Sequence, residues 1–287
     1  MAGALARLTA NIGGPGERRR RTYATVIMSV LLHGAPIWAQ TIARNRKVLG
    51  SVRKLQRQLA LRVIRGYRTV SHDAAAILAG MIPFDLAADR IRRAYLRKRD
   101  IIARDGEITP HVGAMLLEAE RRRAIARWQR RLEELPPDGP GAAVRGAIGE
   151  DVEAWIGRTH GALTYRVTQM LTGHGVFEAY LYRIGRRDTP ICVFCRATSD
   201  TAVHTLLFCP AWGERRGELL AIAGVDRAFR AVVRAAVRSR EAWSVLADFC
   251  ENIMRRKEED ERARERGLDP CVGMLVLPPD EEDSDMD

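Results

Sequence analysis

The chain has 287 residues, of which 46 % are hydrophobic, and its 47 lysines and arginines outnumber 36 aspartates and glutamates to give a formal net charge of +11. This length allows two or three small domains with buried cores, and the five cysteines show no disulfide-like spacing, which argues against a disulfide-stapled secreted protein and for a reducing compartment. The basic excess points to an anionic polymer such as nucleic acid, with an arginine bias of the coding sequence as the alternative.

The N-terminal part of the chain is predicted to be a basic helical domain. Residues 1–16, rich in glycine near "NIGGPG", are typical of a linker or of the start of a fragment, and the domain is expected over 17–135. A first helix should extend from Arg18 to Leu32 and end where Gly34 and Pro36 interrupt it. The apolar run "TYATVIMSVLLHGAPIWA" is too short and too mixed for a membrane span, so no membrane partner is expected.

A second helix is predicted from about Asn45 to Ile64, because apolar residues recur at three- and four-residue intervals. The interval holds no acidic residue, so the helix is expected to face something anionic. The apolar stripe consists of Val48, Val52, Leu55, Leu59 and Val63. The basic residues around it are Arg44, Arg46, Lys47, Arg53, Lys54, Arg57, Arg62, Arg65 and Arg68.

Three further helices complete the predicted N-terminal domain. One should run from an N-cap at Ser71 to Leu78, the next should begin at Pro83 and end at Asp105, and the third should cover Val112 to Leu135. The stretch "PPDGPG" at 136–141 follows and has the composition of a linker, so we predict a domain boundary there.

The C-terminal part is predicted to be helical as well. We expect a helical segment over 142–224, with a small cysteine- and histidine-bearing module at about 188–212. A long C-terminal helix is predicted over 225–268, with an apolar stripe that begins at Phe229 and a fully charged end from Arg255. The acidic residues 269–287 are expected to be a disordered tail.

The stretch "CVFCRATSDTAVHTLLFC" carries the clearest chemistry in the sequence. Cys192, Cys195, His204 and Cys209 have the spacing C-x2-C-x8-H-x4-C. Three thiolates and one imidazole are a soft ligand set that selects zinc, and four protein ligands leave no position for water, which predicts a structural Zn²⁺ site. A redox-active C-x-x-C pair is the alternative, but no clear strand precedes Cys192.

The remaining histidines and cysteines give weaker indications. His174 lies between two glycines in "TGHG", where it could face a ligand or pack locally; Cys250 is predicted to be core, and Cys271 has no evident partner. No serine nucleophile elbow, Gly-rich phosphate loop or paired-carboxylate cluster occurs.

Three stretches taken in order carry a family resemblance: "ALARLTANIGGPGERRRRTYATVIMSVLLHGAPIWA", "LTGHGVFEAYLYRIG" and "CVFCRATSDTAVHTLLFCPAW". They resemble the C-terminal part of the pol-like protein of non-LTR retrotransposons, most closely the type-1 elements that insert into ribosomal DNA. The resemblance implies a helical thumb- and connector-like region that follows the reverse-transcriptase palm, and a zinc motif on the four residues above. It also implies an intracellular, nuclear location.

The family's activities are those of an RNA-directed DNA polymerase, a nucleotidyltransferase, coupled to an endonuclease. The palm motif that binds the catalytic Mg²⁺ ions is missing from this sequence, and so is the endonuclease, so the chain reads as a fragment of the polyprotein or a decayed or co-opted copy, and its own enzymatic activity is left open. The upstream polymerase portion is then an expected partner.

Two functions follow as alternatives. In the first, the chain binds RNA or DNA through phosphate contacts, and the zinc module is either a structural clip or a further contact that uses Phe194, Arg196 and Phe208. In the second, it is a zinc-stapled scaffold for protein interaction, whose marker would be an exposed apolar patch. The residues predicted to contact phosphates are Arg46, Lys47, Arg53, Lys54, Arg57, Arg62, Arg65 and Arg196.

Overall fold

The computed structural model describes residues 10, 14–224, 226 and 228–268. Within this part of the chain the secondary structure is helical and no strand occurs, which confirms the predicted mainly α fold. The α-helices of the described chain are, in order, α1 Glu17–Leu31, α2 Ala35–Ala43, α3 Arg46–Ile64, α4 His72–Ala79, α5 Phe84–Asp105, α6 Pro110–Glu133, α7 Ala142–Ile148, α8 Val152–Gly157, α9 Tyr165–Thr172, α10 Glu178–Arg183, α11 Gly213–Ala223, α12 Phe229–Arg238 and α13 Arg240–Glu265.

Local capping residues set the helix ends close to where the sequence predicts them. Helix α3 begins after Asn45, whose side chain accepts a hydrogen bond from the Val48 amide. Helix α4 begins after Ser71 in the same way and ends at Gly80, which adopts the left-handed conformation that terminates helices. The helices predicted for the N-terminal part are therefore confirmed, with ends shifted by one or two residues.

The N-terminal helices pack in pairs. Helix α1 packs against α3, α2 against α5, α3 against α4, and α5 against α6. Trp38 of α2 and Phe84 of α5 stack with ring centroids 5.6 Å apart, which fixes the α2–α5 contact. The apolar face of α3 turns inward, with Leu59 and Val63 buried, so its opposite face is left to carry the basic residues.

One hydrophobic core extends through the residues on both sides of 136–141. Buried residues of α4, such as Leu78, belong to the same cluster as Trp155 of α8 and Met170 of α9. The Trp155 indole also donates a hydrogen bond to the Leu78 carbonyl at 3.3 Å. The two sides therefore share a core, and a domain boundary at 136–141 stays a prediction.

The apolar stripe predicted to form one helix from Phe229 onward is divided between α12 and α13. Ser239 adopts an extended conformation with φ −131° and ψ 136°, and its side chain caps α13 by accepting from the Ala242 amide. Since a serine N-cap and a one-residue break leave the apolar spacing almost intact, the periodicity alone did not reveal the interruption. The predicted long C-terminal helix is α13, with 26 residues.

Two predicted segments lie wholly or largely outside the described residues. These are the N-terminal linker 1–16, of which only residues 10 and 14–16 are described, and the acidic tail 269–287 with Cys271. Within the described chain no single helix has both the length and the apolar character to cross a membrane; α1 and α2 meet that test only as a pair, which is bent by 85°.

Candidate metal centre

The four residues of the cysteine-histidine motif come together in space. The thiol sulfurs of Cys192, Cys195 and Cys209 and a ring nitrogen of His204 all lie within 4.8 Å of one another. The Cys192 and Cys209 sulfurs are 3.9 Å apart, and Cys195 Sγ lies 3.3 Å from His204 Nε2. A tetrahedral ion with Zn–S bonds of about 2.3 Å and a Zn–N bond of about 2.0 Å requires an S–S separation of about 3.8 Å and an S–N separation of about 3.5 Å. The group therefore could hold a metal ion.

A tight backbone turn presents the first two cysteines. The Arg196 amide donates to the Cys192 carbonyl at 2.8 Å, and the Cys192 amide donates to the Ala197 carbonyl at 2.9 Å. Arg196 has a φ of +63°, a left-handed conformation that reverses the chain directly after Cys195. The Asp200 amide then donates to the Pro190 carbonyl and closes the base of the loop. The turn thus aims both thiols to one side.

A π-helical turn over His204–Phe208 presents the other two ligands. The Cys209 amide donates to the His204 carbonyl at 2.8 Å, a hydrogen bond that spans five residues. In a regular α-helix, residues five apart point about 140° away from each other. The wider π turn instead places His204 and Cys209 side by side, which explains how the x4 spacing can serve a single ion.

The hydrogen bond between the Cys192 and Cys209 thiols shifts their two pKa values in opposite directions. The hydrogen bond from Cys209, opposed by burial, lowers the pKa of Cys192 to about 5, whereas the same pairing, together with burial, raises the pKa of Cys209. Burial also raises the pKa of Cys195. The cluster therefore favours one thiolate in the absence of a cation, and a divalent ion would supply the charge that favours deprotonation of the others.

A buried ion pair that the sequence analysis missed fastens the motif to α13. Lys257 Nζ donates to Asp200 Oδ2 at 2.7 Å, and the two side chains are 2 % and 1 % exposed. Asp200 also accepts from the Glu178 amide at 3.0 Å and from the Thr205 hydroxyl at 3.0 Å. One feature of the sequence indicates that Lys257 is buried, because it continues the inward-facing stripe of α13 four residues after Ile253.

Arg216 of α11 stabilises the π-helical turn through hydrogen bonds to its backbone. Its guanidinium is buried and donates to the carbonyl oxygens of Leu206, Thr205 and Cys209. These carbonyls lie at the end of the turn, where the helical hydrogen bonding stops, so Arg216 satisfies acceptors that would otherwise be buried without a donor. Nothing in the sequence pattern distinguished Arg216 from the many exposed arginines.

The charged end of α13 packs inward instead of being fully solvated. Glu178 of α10 is buried and accepts from Arg187 at 3.0 Å and from Arg264 at 2.9 Å. Arg187 also pairs with Glu261, which is only 10 % exposed. The predicted charged stretch therefore forms an ion-pair network that binds α13 to the residues just before the metal cluster.

Two residues singled out in the sequence are packed locally, His174 half-buried and Cys250 fully buried. His174 packs on Tyr180 with ring centroids 4.9 Å apart, and burial, together with the charge of Arg183, lowers the pKa of His174 to about 4. Cys250 is fully buried, as predicted. Neither residue belongs to the metal cluster.

The predicted phosphate contacts divide into two sets. Arg46, Lys47, Arg53 and Lys54 are exposed on α3, and Arg196 is exposed on the loop between the cysteines and His204. The other three, Arg57, Arg62 and Arg65, are half-buried. Arg57 donates to the carbonyls of Val70 and Arg68, and Arg65 donates to the Pro15 carbonyl at 3.2 Å. The structure does not gather all eight residues at one point.

The aromatic residues proposed as stacking groups also differ in exposure. Phe194 is 5 % exposed and packs against Trp212 with ring centroids 4.8 Å apart, so the expectation that it could stack on bases is wrong. Phe208 is 60 % exposed. Of the three residues suggested next to the cluster, Arg196 and Phe208 are accessible.

Comparison with known proteins places this helical, cysteine-histidine-bearing chain among relatives of retrotransposon Pol proteins. More particularly, it is related to the Pol-like proteins of R1 type-1 retrotransposable elements. It is 29 % identical over 268 residues to a 115 kDa protein of the element R1DM of Drosophila melanogaster, covering 90 % of this chain and 25 % of that protein. It is 27 % identical over 265 residues to a Pol polyprotein of the element R1 4 of Nasonia vitripennis, covering 87 % of this chain and 63 % of that protein.

A third relative is a Pol polyprotein of an R1 element of Bradysia coprophila, 23 % identical over 232 residues, with 75 % of this chain and 22 % of that protein covered. The chain thus spans from about a fifth to less than two thirds of the length of these three relatives. No family model matches the chain, and no solved structure matches it.

Proposed function

We propose that this chain is a nucleic-acid-binding, zinc-stapled part of a retrotransposon Pol protein, which holds RNA or DNA for a polymerase portion without supplying the catalytic centre. The observation that carries the proposal is the exposed basic face of α3. Arg46, Lys47, Arg53 and Lys54 are all exposed there, and within the described residues none of them forms an ion pair. Such a face is repulsive until an anion lies beside it.

The spacing of these four residues suits a phosphate backbone. Arg46 and Arg53, and likewise Lys47 and Lys54, are seven residues apart, so each pair lies on one side of the helix about 10 Å apart along its axis. Contacts from such rows position a nucleic acid without reading its bases. The half-buried Arg57, Arg62 and Arg65 continue the same helix and would add charge at its C-terminal end.

We propose Zn²⁺ as the ion of the metal centre, since three thiols and an imidazole are its preferred structural ligands. Cys192, Cys195, His204 and Cys209 would hold it, and a closed set of four protein ligands supplies folding free energy instead of a reactive water. Because Lys257 of α13 and Arg216 of α11 contact this module, binding of the ion would also restrict the positions of these two helices. The exposed Arg196 and Phe208 allow the module to touch a single strand as well.

Direct binding measurements test the proposal. Fluorescence anisotropy of labelled RNA and DNA 20-mers with the full chain should show affinity that falls steeply with salt, by a few orders of magnitude between about 50 and 200 mM if about six phosphates are engaged. Arg53→Glu with Lys54→Glu should abolish most binding. Arg123→Glu with Arg130→Glu changes the same charge on exposed positions of α6 and is the matched control. Equal loss in both double variants, or a flat salt titration, would refute a role for α3.

Chelation separates the two roles of the metal centre. If the module contacts nucleic acid, removing the ion and substituting Arg196→Gln with Phe208→Ala should each weaken binding. If it is only a structural clip, the double variant should bind as the wild type does, and chelation should lower thermal stability.

A second candidate function, a protein-interaction scaffold, has its own observation. A cleft of about 600 Å³ between α5 and α6 is lined largely by apolar groups, and Tyr95 and Leu117 there are 46 % and 60 % exposed. Such a patch is typical of a protein contact. Leu117→Glu with Met115→Glu should leave nucleic-acid affinity unchanged and break association with an upstream polymerase portion; an unaltered association would remove this candidate.

The polymerase and endonuclease activities expected of the whole element, with their Mg²⁺, are assigned in this proposal to a Pol portion other than the described helices. Copying element RNA at a chromosomal site would place the chain in the nucleus. Co-purification with a polymerase portion, and nuclear signal of a tagged chain, would test both expectations.

A further inference from the structure

A second basic surface lies away from the metal centre, in a cleft of about 840 Å³ between the first turn of α1 and the loop that follows α8. Its charged lining consists of five arginines and one acid, Glu17. Both carboxylate oxygens of Glu17 are already engaged, one by Arg21 and the other by the Leu163 amide at 2.6 Å. The cleft therefore holds a surplus of positive charge. The arginines are Arg18, Arg19, Arg21, Arg158 and Arg240.

Arg158 is the anchor of this cleft. Its guanidinium lies 3.6 Å from the ring centroid of the buried Trp155 and 5.0 Å from that of Trp243, so the aromatic rings fix its plane. Its Nε atom is buried and has no hydrogen-bond partner among the described residues. Burial lowers its pKa to about 10, and the positive charge of Arg21 acts in the same direction. Its Nη1 atom donates to the Trp155 carbonyl, and a guanidinium held in one plane by stacking is well suited to a planar or tetrahedral oxyanion.

Other charged groups in the cleft are more open to a ligand. Arg18, Arg19 and Arg240 are exposed, and in the described chain their side chains form no ion pair or hydrogen bond. Gly16 precedes α1 and provides no side-chain cap, so the first amides of this 15-residue helix add donors and a positive dipole end. Both kinds of group favour phosphate.

The cleft is next to the end of α3. Arg20 of α1 donates to the Arg62 carbonyl at 3.0 Å, and Arg65 reaches back to the Pro15 carbonyl at 3.2 Å. The C-terminal end of α3 thus abuts the segment that leads into α1. A nucleic acid that follows the basic face of α3 therefore arrives near this cleft.

We propose that the cleft formed by Arg18, Arg19, Arg158 and Arg240 binds the phosphodiester backbone of the same nucleic acid that contacts α3. This inference rests on the proposed nucleic-acid function and adds a second binding site to it. The ligand class is a polyanionic strand, because the charge is spread over a volume far larger than one phosphate and is open to solvent at Arg18 and Arg19.

The test compares two triple variants of the full chain that remove the same charge. Arg18→Gln, Arg19→Gln and Arg240→Gln strip the cleft, and Arg99→Gln, Arg123→Gln and Arg130→Gln strip exposed positions of α5 and α6. With the labelled 20-mers, the cleft variant should bind about tenfold or more weakly, and its log-log salt slope should fall by about 0.7 for each phosphate lost on single strands. Circular dichroism melts should show both variants folded.

The outcomes separate this inference from the function on which it rests. If the wild type binds and both triple variants bind equally, the cleft assignment is overturned while nucleic-acid binding through α3 stands. If the wild type binds neither RNA nor DNA, the proposed function fails and the cleft assignment with it. If sodium pyrophosphate at constant ionic strength binds the cleft more tightly than the 20-mer does, the cleft is a small-anion site and the assignment to a strand is wrong.

A conservative variant checks the role of Arg158 itself. Arg158→Lys keeps the charge and loses the planar, two-point contact and much of the stacking on Trp155. Affinity should fall severalfold with the salt slope unchanged. Wild-type affinity in this variant would remove Arg158 from the site.

Discussion

Lys257 and Asp200 form a buried ion pair, 2.7 Å from Nζ to Oδ2, between two residues 57 positions apart in the chain. The pair joins the C-terminal half of α13 to the loop between Cys195 and His204. The Lys257 ammonium also lies 5.2 Å from the Phe194 ring and 5.3 Å from the Phe177 ring, so it is enclosed by aromatic groups.

Breaking this pair should be strongly destabilising, because a lone carboxylate would remain in the core. We expect Lys257→Met to lower the free energy of unfolding by about 3–5 kcal/mol in urea titrations. Combining it with Asp200→Asn should restore part of the loss, since neither charge is then buried. Lys54→Met, at an exposed lysine, is the control and should change stability by less than about 0.5 kcal/mol. A loss below about 1 kcal/mol in Lys257→Met would contradict an anchoring role.

The metal centre predicts a stoichiometry. Purified wild-type chain should contain one zinc per chain, and Cys195→Ser should carry close to none by elemental analysis. Since binding of a structural ion of this kind is worth on the order of 10 kcal/mol, the local module should also lose its fold. Cys250→Ala removes a buried thiol outside the cluster and should retain the ion. Zinc content that stays at one per chain in Cys195→Ser would contradict the assignment of Cys195 as a zinc ligand.

His174 gives a pH dependence with a defined sign. Its pKa is lowered to about 4 in the folded chain by burial and by Arg183, against about 6.5 when unfolded. Between these values the unfolded state binds more protons, so the His174 contribution leaves stability intact above about pH 6.5 and reduces it as the pH falls toward 4. His174→Phe keeps the ring against Tyr180 and should lose less stability over this window. Melting temperatures from pH 7 to 4.5 measure it, with the exposed His111→Phe as control.

If the wild type and His174→Phe lose the same stability between pH 6.5 and 4.5, His174 is not the titrating group. The comparison is needed because lowering the pH acts on other groups of the chain as well. Those contributions are common to both proteins and cancel in the difference.

Gly161 supports the cleft wall and should not tolerate a side chain. Its φ is +78°, and an added Cβ would run into the ring of the buried Trp243. We expect Gly161→Ala to destabilise the chain by about 2 kcal/mol or more, through backbone strain and overpacking together. Gly113 lies inside α6, and an added Cβ there meets nothing within 4 Å in the described chain. Gly113→Ala should therefore stabilise by about 0.5–1 kcal/mol, and calorimetry that shows equal effects at both positions would contradict this account.

Local chemistry, readable in the sequence, determined the helices and the ligand set. Asn45, Ser71 and Gly80 act over three or four residues, so their effect on helix ends could be predicted without the fold. The spacing of Cys192, Cys195, His204 and Cys209 likewise predicted that they would meet, because each half of the motif is a short local turn. The break at Ser239 escaped prediction since it barely disturbs the apolar spacing.

Contacts between distant segments were decided only by the tertiary structure. Lys257, Glu261 and Arg216 are residue types that usually lie on a solvated surface. They are buried here because each meets a complementary group from elsewhere in the chain. The same reason places Phe194 inside and stacks Arg158 on Trp155, with Trp243 beside it. Periodicity records which side of a helix is apolar, whereas the partner of a charged residue is fixed by packing between elements that the sequence holds far apart.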